Sequence, residues 1–165
     1  MIINTERFQL KLLTTENITE QYLSWFSGSE EVEKYIDFAK KEPDIDELVR
    51  YVRDRENRRD VLFLGIFSDS NQHIGNVKYE PINLKDKTAT MGILIGEKEW
   101  RGKGVASEVV KASSEYLGKI YGVRYIDLGV KRSNGPVLAP TRNEKNIALV
   151  DEIKTNGIRK NNSTL

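Results

Sequence analysis

Arg101-Gly102-Lys103-Gly104-Val105-Ala106 is the segment of this chain best equipped for chemistry, with two cations and two glycines between an apolar run, Met91 to Ile95, and a long amphipathic stretch, Val105 to Tyr121. The order reads as strand, glycine turn, helix start. Glycine lacks the Cβ that would hold a polyanion off the backbone, so peptide N–H groups in such a turn can converge on one centre. A nest of this kind at a helix N-terminus suits phosphate.

The common nucleotide motifs do not fit these residues. A P-loop needs Gly, four residues, then Gly-Lys and Ser or Thr. Gly96 stands one residue too far from Gly102-Lys103, and Gly104 fills the Ser/Thr place where magnesium would be held. A dinucleotide fingerprint fails as well, because Gly102 and Gly104 are followed by Ser107 where a third glycine should close helix onto strand.

Composition narrows the remaining chemistry. Lys plus Arg (26) nearly cancels Asp plus Glu (25), so anion binding is local and no nucleic-acid or membrane footprint is expected. The chain has no cysteine, which removes disulfides, thiolate metal sites and a cysteine acyl-enzyme together. His73 is the one histidine, and no histidine-based metal site is expected. Met1 to Glu6 lacks the basic start and apolar run of a signal peptide, so a cytoplasmic location is expected. At 165 residues, one domain with a substantial core is expected.

The elements that must position the turn follow from hydrophobic period. Phe8 to Leu12 alternates apolar and polar and reads as the first strand. Thr15 is a candidate cap for a helix through Ile18, Tyr22 and Phe26, ended by Ser27-Gly28-Ser29, and Val32 to Phe38 is a candidate second helix. Asp44 opens a further helix with Leu48, Val49 and Val52 on its apolar face. The charged run Arg53 to Asp60 interleaves acids with bases and reads as a solvated helix end or loop. Val61 to Phe67 and His73 to Tyr79 form a hairpin about Asp69-Ser70-Asn71, and Asn83 to Lys87 turns into a third strand, Thr88 to Ile95. Val105, Val109, Ala112, Tyr116 and Leu117 then give a helix face suited to packing on that sheet.

In this context Arg101, Gly104 and Ala106 (Arg-x-x-Gly-x-Ala), with Met91 to Gly96 before them and Tyr125 to Val130 after, resemble the pyrophosphate-binding segment of the GNAT superfamily of N-acetyltransferases. Within that superfamily the chain resembles the subgroup that acetylates ribosomal-protein N-termini and small amines. The resemblance implies an α+β fold over residues 1–165: a central, mostly antiparallel sheet flanked by helices, with abbreviated or atypical C-terminal strands and residues 135–145 as an insertion. It implies acetyl-CoA as cosubstrate without a metal. The pyrophosphate would lie on the amides of Arg101, Gly102, Lys103, Gly104, Val105 and Ala106, and the pantetheine along Ile93, Leu94 and Ile95. A free amide near Leu94 would face the thioester oxygen as an oxyanion donor.

Amine attack on a thioester needs a neutral amine, hence a base or a held water. Many relatives carry Glu on the central strand two residues before its glycine; this chain has Thr90 there, able to position a water but not to act as a base. Glu80 and His73 are the nearby candidates for the base, each with an ordinary alternative as a strand-end charge or a turn residue. Asn146-Ile147-Ala148, then Ile153 and Gly157-Ile158, resemble the family's last motif, in which Asn begins a helix and Tyr protonates the thiolate. Ile153 takes the Tyr place, and Asn134 stands where that Asn, a further coenzyme A contact, more usually lies. An open sheet edge is then expected beside the last strand, with a homodimer as one way to cover it. The function expected is acetyl transfer to a small-molecule amine or a protein N-terminus. The alternatives are a non-catalytic coenzyme A-binding protein and a module for another phosphate ligand.

Overall fold

The computed structural model describes residues 1–26, 44–128 and 147–149. Seven strands form one sheet in sequence order: β1 (Ile2–Asn4), β2 (Phe8–Leu12), β3 (Leu62–Ser68), β4 (His73–Asn83), β5 (Thr88–Ile95), β6 (Tyr125–Leu128) and β7 (Ile147–Leu149). All neighbours are antiparallel except β5 and β6. That parallel pair needs a crossover, supplied by helix α3 (Val105–Tyr121).

Helix α3 is bounded by Gly104 and Gly122, both left-handed with φ of 74° and 69°. It buries Val105, Val109, Val110 and Leu117 on one face of the sheet against Leu64, Ile66, Val77, Tyr79 and Met91. Ser113 is fully buried in that layer yet satisfied, its Oγ 2.7 Å from the Tyr79 hydroxyl and 2.7 Å from the Val109 carbonyl. The opposite face is covered by α1 (Glu20–Ser24) and α2 (Ile45–Arg53), which bring Tyr22, Trp25, Leu48 and Val52 onto Leu13 and Phe63. Asp44 caps α2 as expected, accepting the Glu47 N–H at 2.8 Å.

Expectations at both ends of the chain are corrected. The sheet begins at β1, so Phe8–Leu12 is its second strand. Thr15 does not cap the first helix: the Asn17 side chain accepts from the Thr14 N–H at 2.9 Å and closes a separate 3-10 turn, and Ile18 is extended. The helix starts only at Glu20, where the Thr19 hydroxyl accepts the Tyr22 N–H at 3.2 Å.

At the other end, the residues after Asn146 run as strand β7, antiparallel to β6, and do not open a helix. The apolar triplet Ile147-Ala148-Leu149 satisfies the β6 edge, so the edge expected to be open there is paired. Among the described residues the sheet now ends in β1 and β7, three residues each, short enough to limit edge-to-edge association. Residues 27–43, with the expected Val32 to Phe38 helix, and Asn134, Gly135 to Lys145, Asn146, Ile153 and Gly157 lie outside the described residues. No helix among the described residues is long and apolar enough to cross a membrane.

Candidate active site

The glycine turn sits where β5 delivers the chain to α3. Gly102 and Gly104 have φ of 73° and 74°, a region L side chains avoid. A Cβ added to Gly102 would meet nothing within 4 Å, and one on Gly104 only Arg7 Nη2 at 3.8 Å, so neither glycine is packed against the rest of the domain. With glycine at the N-cap there is no side chain to cap the helix. The first intrahelical bond, from the Glu108 N–H to the Gly104 carbonyl, is 3.2 Å long. The Val105, Ala106 and Ser107 amides therefore precede the hydrogen-bond ladder as orphan donors. An anion bound at this turn would meet both these donors and the positive end of a 17-residue helix.

The turn is held at three points. Arg101 Nε donates to the Ile95 carbonyl at 3.0 Å. Trp100 packs edge-on to Phe8, with ring centroids 5.1 Å apart. Arg7 Nη2 donates to the Lys103 carbonyl at 2.9 Å. Arg101 thus anchors the turn, a task its sequence position did not disclose.

Strand β5 supplies the extended edge. Its parallel ladder with β6 runs, among the described residues, from Thr88 opposite Tyr125 to Met91 opposite Leu128. Gly96 donates its N–H to the Ile74 carbonyl at 2.9 Å, and alternate residues of a strand face the same neighbour. By that alternation Leu94, paired with Asn76, also turns its amide toward β4, while Ile93 and Ile95 turn theirs toward the β6 side. The Leu94 amide thus faces β4, and the amides turned toward the β6 side are those of Ile93 and Ile95. Arg101 caps the Ile95 carbonyl on that side, in agreement with this direction.

His73, Glu80 and Thr90 do not converge. His73 opens β4 and Glu80 lies seven residues further along it, roughly 20 Å away. His73 is sandwiched between Phe67 and Tyr22, at 4.9 and 5.5 Å between centroids, with Trp25 edge-on at 4.9 Å. Its Nε2 is 2.7 Å from Asn76 Oδ1. Burial pulls the imidazole pKa below its ordinary value, outweighing hydrogen bonds to Asn76 and the Gly75 backbone and the attraction of Glu97, which raise it. Neutral imidazole is the expected state.

Glu80 lies across the irregular stretch of β4 that faces Thr90, where the ladder register shifts between Tyr79 and Ile82. Its Oε2 pairs with Arg55 Nε at 2.8 Å and Lys78 Nζ at 3.2 Å, and its Oε1 with Arg58 Nη1 at 3.1 Å. Burial raises its pKa, but Arg55 and Lys78 more than offset that, and the carboxyl is held below its ordinary value. The charged run Arg53 to Asp60 is thus in part a cage for this carboxylate. Thr90 is half-buried between Ala89 and Met91, both of which face α3, so its hydroxyl belongs to the opposite face. Beside it Gly92 is exposed, with open space where a Cβ would stand, and Lys78 is its partner across the ladder.

The matched family model is the GNAT acetyltransferase domain, over residues 7–139. The chain belongs to the GNAT acetyltransferase family. Solved structures with the same fold include RimL, a ribosomal-protein alpha-N-acetyltransferase in complex with coenzyme A: 15% identity, TM-score 0.69, 78% of this chain and 73% of that one. A spermidine N-acetyltransferase from Vibrio cholerae, in complex with coenzyme A and spermine, shares 18% identity at a TM-score of 0.64, over 73% and 69% of the two chains. A microcin self-immunity acetyltransferase in complex with acetyl-CoA and AMP gives 16% and 0.64, over 74% and 69%. No curated protein matches the chain.

In this GNAT domain, residues that no sequence motif marks adjoin the candidate site. Arg7 and Glu108 meet across the base of the nest, 101 positions apart, and neither lies in a recognisable motif. Trp25, Tyr22 and Glu97 gather around His73; only the apolar character of the two aromatics was legible.

Proposed function

We propose that the chain is an acetyl-CoA-dependent N-acetyltransferase that acts on a primary amine by direct attack, in the cytoplasm. The acceptor is a small molecule or a protein N-terminus, as in the ribosomal-protein subgroup. The observation that carries this reading is the pair of left-handed glycines at the mouth of the uncapped α3 helix, directly after the central strand of a GNAT domain. Both glycines leave the backbone open to a diphosphate, and the Ile93 and Ile95 amides on the β6 side offer donors along the path of a pantetheine arm.

For the proton, a water held by the Thr90 hydroxyl beside the open notch at Gly92 serves as a relay that passes it to solvent, in place of Glu80 as the base. A carboxylate compensated by Arg55, Lys78 and Arg58 is a weak base, and its part is to tie the segment after α2 to β4. His73 is neutral but enclosed by aromatic rings, so it shapes this face of the sheet. Without a tyrosine at the leaving-group position, the coenzyme A thiolate departs to water, tolerable for a thiol near neutral pH.

The reading is tested by calorimetric titration with acetyl-CoA and by thiol release with a panel of amines. Binding and amine-dependent release are expected in the wild type. Gly104→Glu, which puts a side chain and a negative charge beside Arg7 at the mouth of the helix, on a left-handed backbone, is expected to abolish binding while the variant stays folded. Undiminished affinity in that variant refutes the site, and binding without thiol release for any amine favours the non-catalytic alternative.

A further inference from the structure

Glu108 is out of place in a site for a polyanion. It lies in the first turn of α3, one residue beyond the orphan amides, and it is held ionised. Burial raises its pKa, but the Thr5 hydroxyl and Arg7 more than offset this and keep it below its ordinary value. A carboxylate there suits the helix dipole yet repels an incoming diphosphate.

The β1–β2 turn answers this charge. Thr5 Oγ1 donates to Glu108 Oε1 at 2.7 Å, the Arg7 backbone N–H to the same oxygen at 2.7 Å, and Arg7 Nε to Oε2 at 2.7 Å. The turn itself is fixed by the Thr5 and Phe8 backbone and by the Thr5 hydroxyl, which accepts the Phe8 N–H at 2.9 Å. The same guanidinium reaches forward through Nη2 to the Lys103 carbonyl at 2.9 Å. In a trans peptide the carbonyl and the following N–H point in opposite directions. With the Lys103 carbonyl drawn onto Arg7, the Gly104 N–H is turned away from Arg7, toward the open side of the nest. Gly102 and Gly104 on either side of Lys103 would otherwise leave this peptide free to rotate.

We propose that Arg7 is a positioning residue for the diphosphate of coenzyme A: it neutralises Glu108 and orients the Gly104 amide into the nest. The inference rests on the nest being the coenzyme A site. It assigns to the N-terminal strand pair a share in cosubstrate binding that the glycine motif alone does not reveal.

The test compares coenzyme A with S-acetylpantetheine, which lacks phosphates, by calorimetry for the first and NMR titration for the second. Arg7→Ala is expected to weaken coenzyme A at least tenfold and to change acetylpantetheine affinity less than twofold. Arg7→Lys keeps the cation but cannot bridge both partners, and an intermediate loss is expected; it also serves if Arg7→Ala fails to fold. Adding Glu108→Gln to either variant should recover part of the coenzyme A affinity, which a purely structural role would not give. Unchanged coenzyme A affinity, equal losses for both ligands, or no recovery in the double variant overturns the role of Arg7. If the wild type binds acetylpantetheine but gains nothing from the phosphates, the nest reading itself is what fails, and the role falls with it.

Discussion

Trp25 is seated on Gly96: a Cβ built on that glycine would lie 2.0 Å from the indole ring. The same ring donates Nε1–H to Glu97 Oε1 at 2.9 Å and meets His73 edge-on. One indole therefore joins α1 to the end of β5 just before the nest begins. Gly96→Ala is expected to push the ring out and break both contacts, destabilising the domain by about 1–3 kcal/mol, the usual cost of overpacking. Trp25→Phe relieves nothing but loses the hydrogen bond, worth about 1 kcal/mol. Urea midpoints of the two variants check the order; a neutral Gly96→Ala would show that the indole is not held there.

Arg101 and Gly102 separate anchoring from strain. Arg101→Ala loses the bond to the Ile95 carbonyl and one cation, and is expected to weaken acetyl-CoA less than Gly104→Glu does. Gly102→Ala meets no neighbour, so its cost is the left-handed backbone alone, about 1–2 kcal/mol of stability. Acetyl-CoA affinity should fall in the second variant as well, because the new methyl stands on the open side. Paired thermal melts and titrations measure both; an affinity equal to wild type in Gly102→Ala would place the ligand elsewhere.

What was legible in the chain was what neighbouring residues decide among themselves. Gly104 and Gly122 bracket an apolar period with no competing signal, and α3 spans the residues expected of it, Val105–Tyr121. The β3–β4–β5 meander was equally plain, since Asn71 and Lys87 mark its turns and both have positive φ. Side-chain partnerships set by tertiary packing were not legible. Nothing near Glu80 announces Arg55, and nothing near Glu108 announces Arg7. Thr15 is the cap the sequence suggests, but Asn17 folds back on Thr14 and the helix begins after Thr19 instead. Ile147-Ala148-Leu149 is too short to declare a period, so only the waiting β6 edge decides that it is a strand.

Glu80→Gln tests a charge cage rather than a base. Its pKa is depressed in the fold, so its contribution is present above the unfolded-state value and is lost as pH falls through the lower folded value. At neutral pH the variant is expected to be less stable by about 1–2 kcal/mol, discounted from a fully buried pair because Arg58 is exposed. The difference should close as pH falls below the ordinary carboxylate range. The kcat against pH profile should keep its shape if the proton goes to water near Thr90, and Thr90→Val should lower kcat instead. A profile that loses its acid limb in Glu80→Gln would restore the carboxylate as the base.

His73 sets a second, milder acid limb. Burial holds its folded pKa below the ordinary 6.5, so as pH falls the unfolded chain takes up the proton first. The stabilisation is complete above about pH 6.5 and is lost as pH falls through the folded value, with a slope of at most about 1.4 kcal/mol per pH unit. His73→Gln gives up the stacking with Tyr22 and Phe67 and is expected to be less stable at pH 8. Its urea midpoint should nevertheless be flat from pH 7 to 5, where the wild type declines. Because Glu80 and Glu108 titrate below their ordinary values, their limbs fall at lower pH and do not obscure this window. Equal slopes in the two proteins between pH 7 and 5 would mean that the imidazole takes its proton inside the folded chain, and that the aromatic enclosure does not keep it neutral.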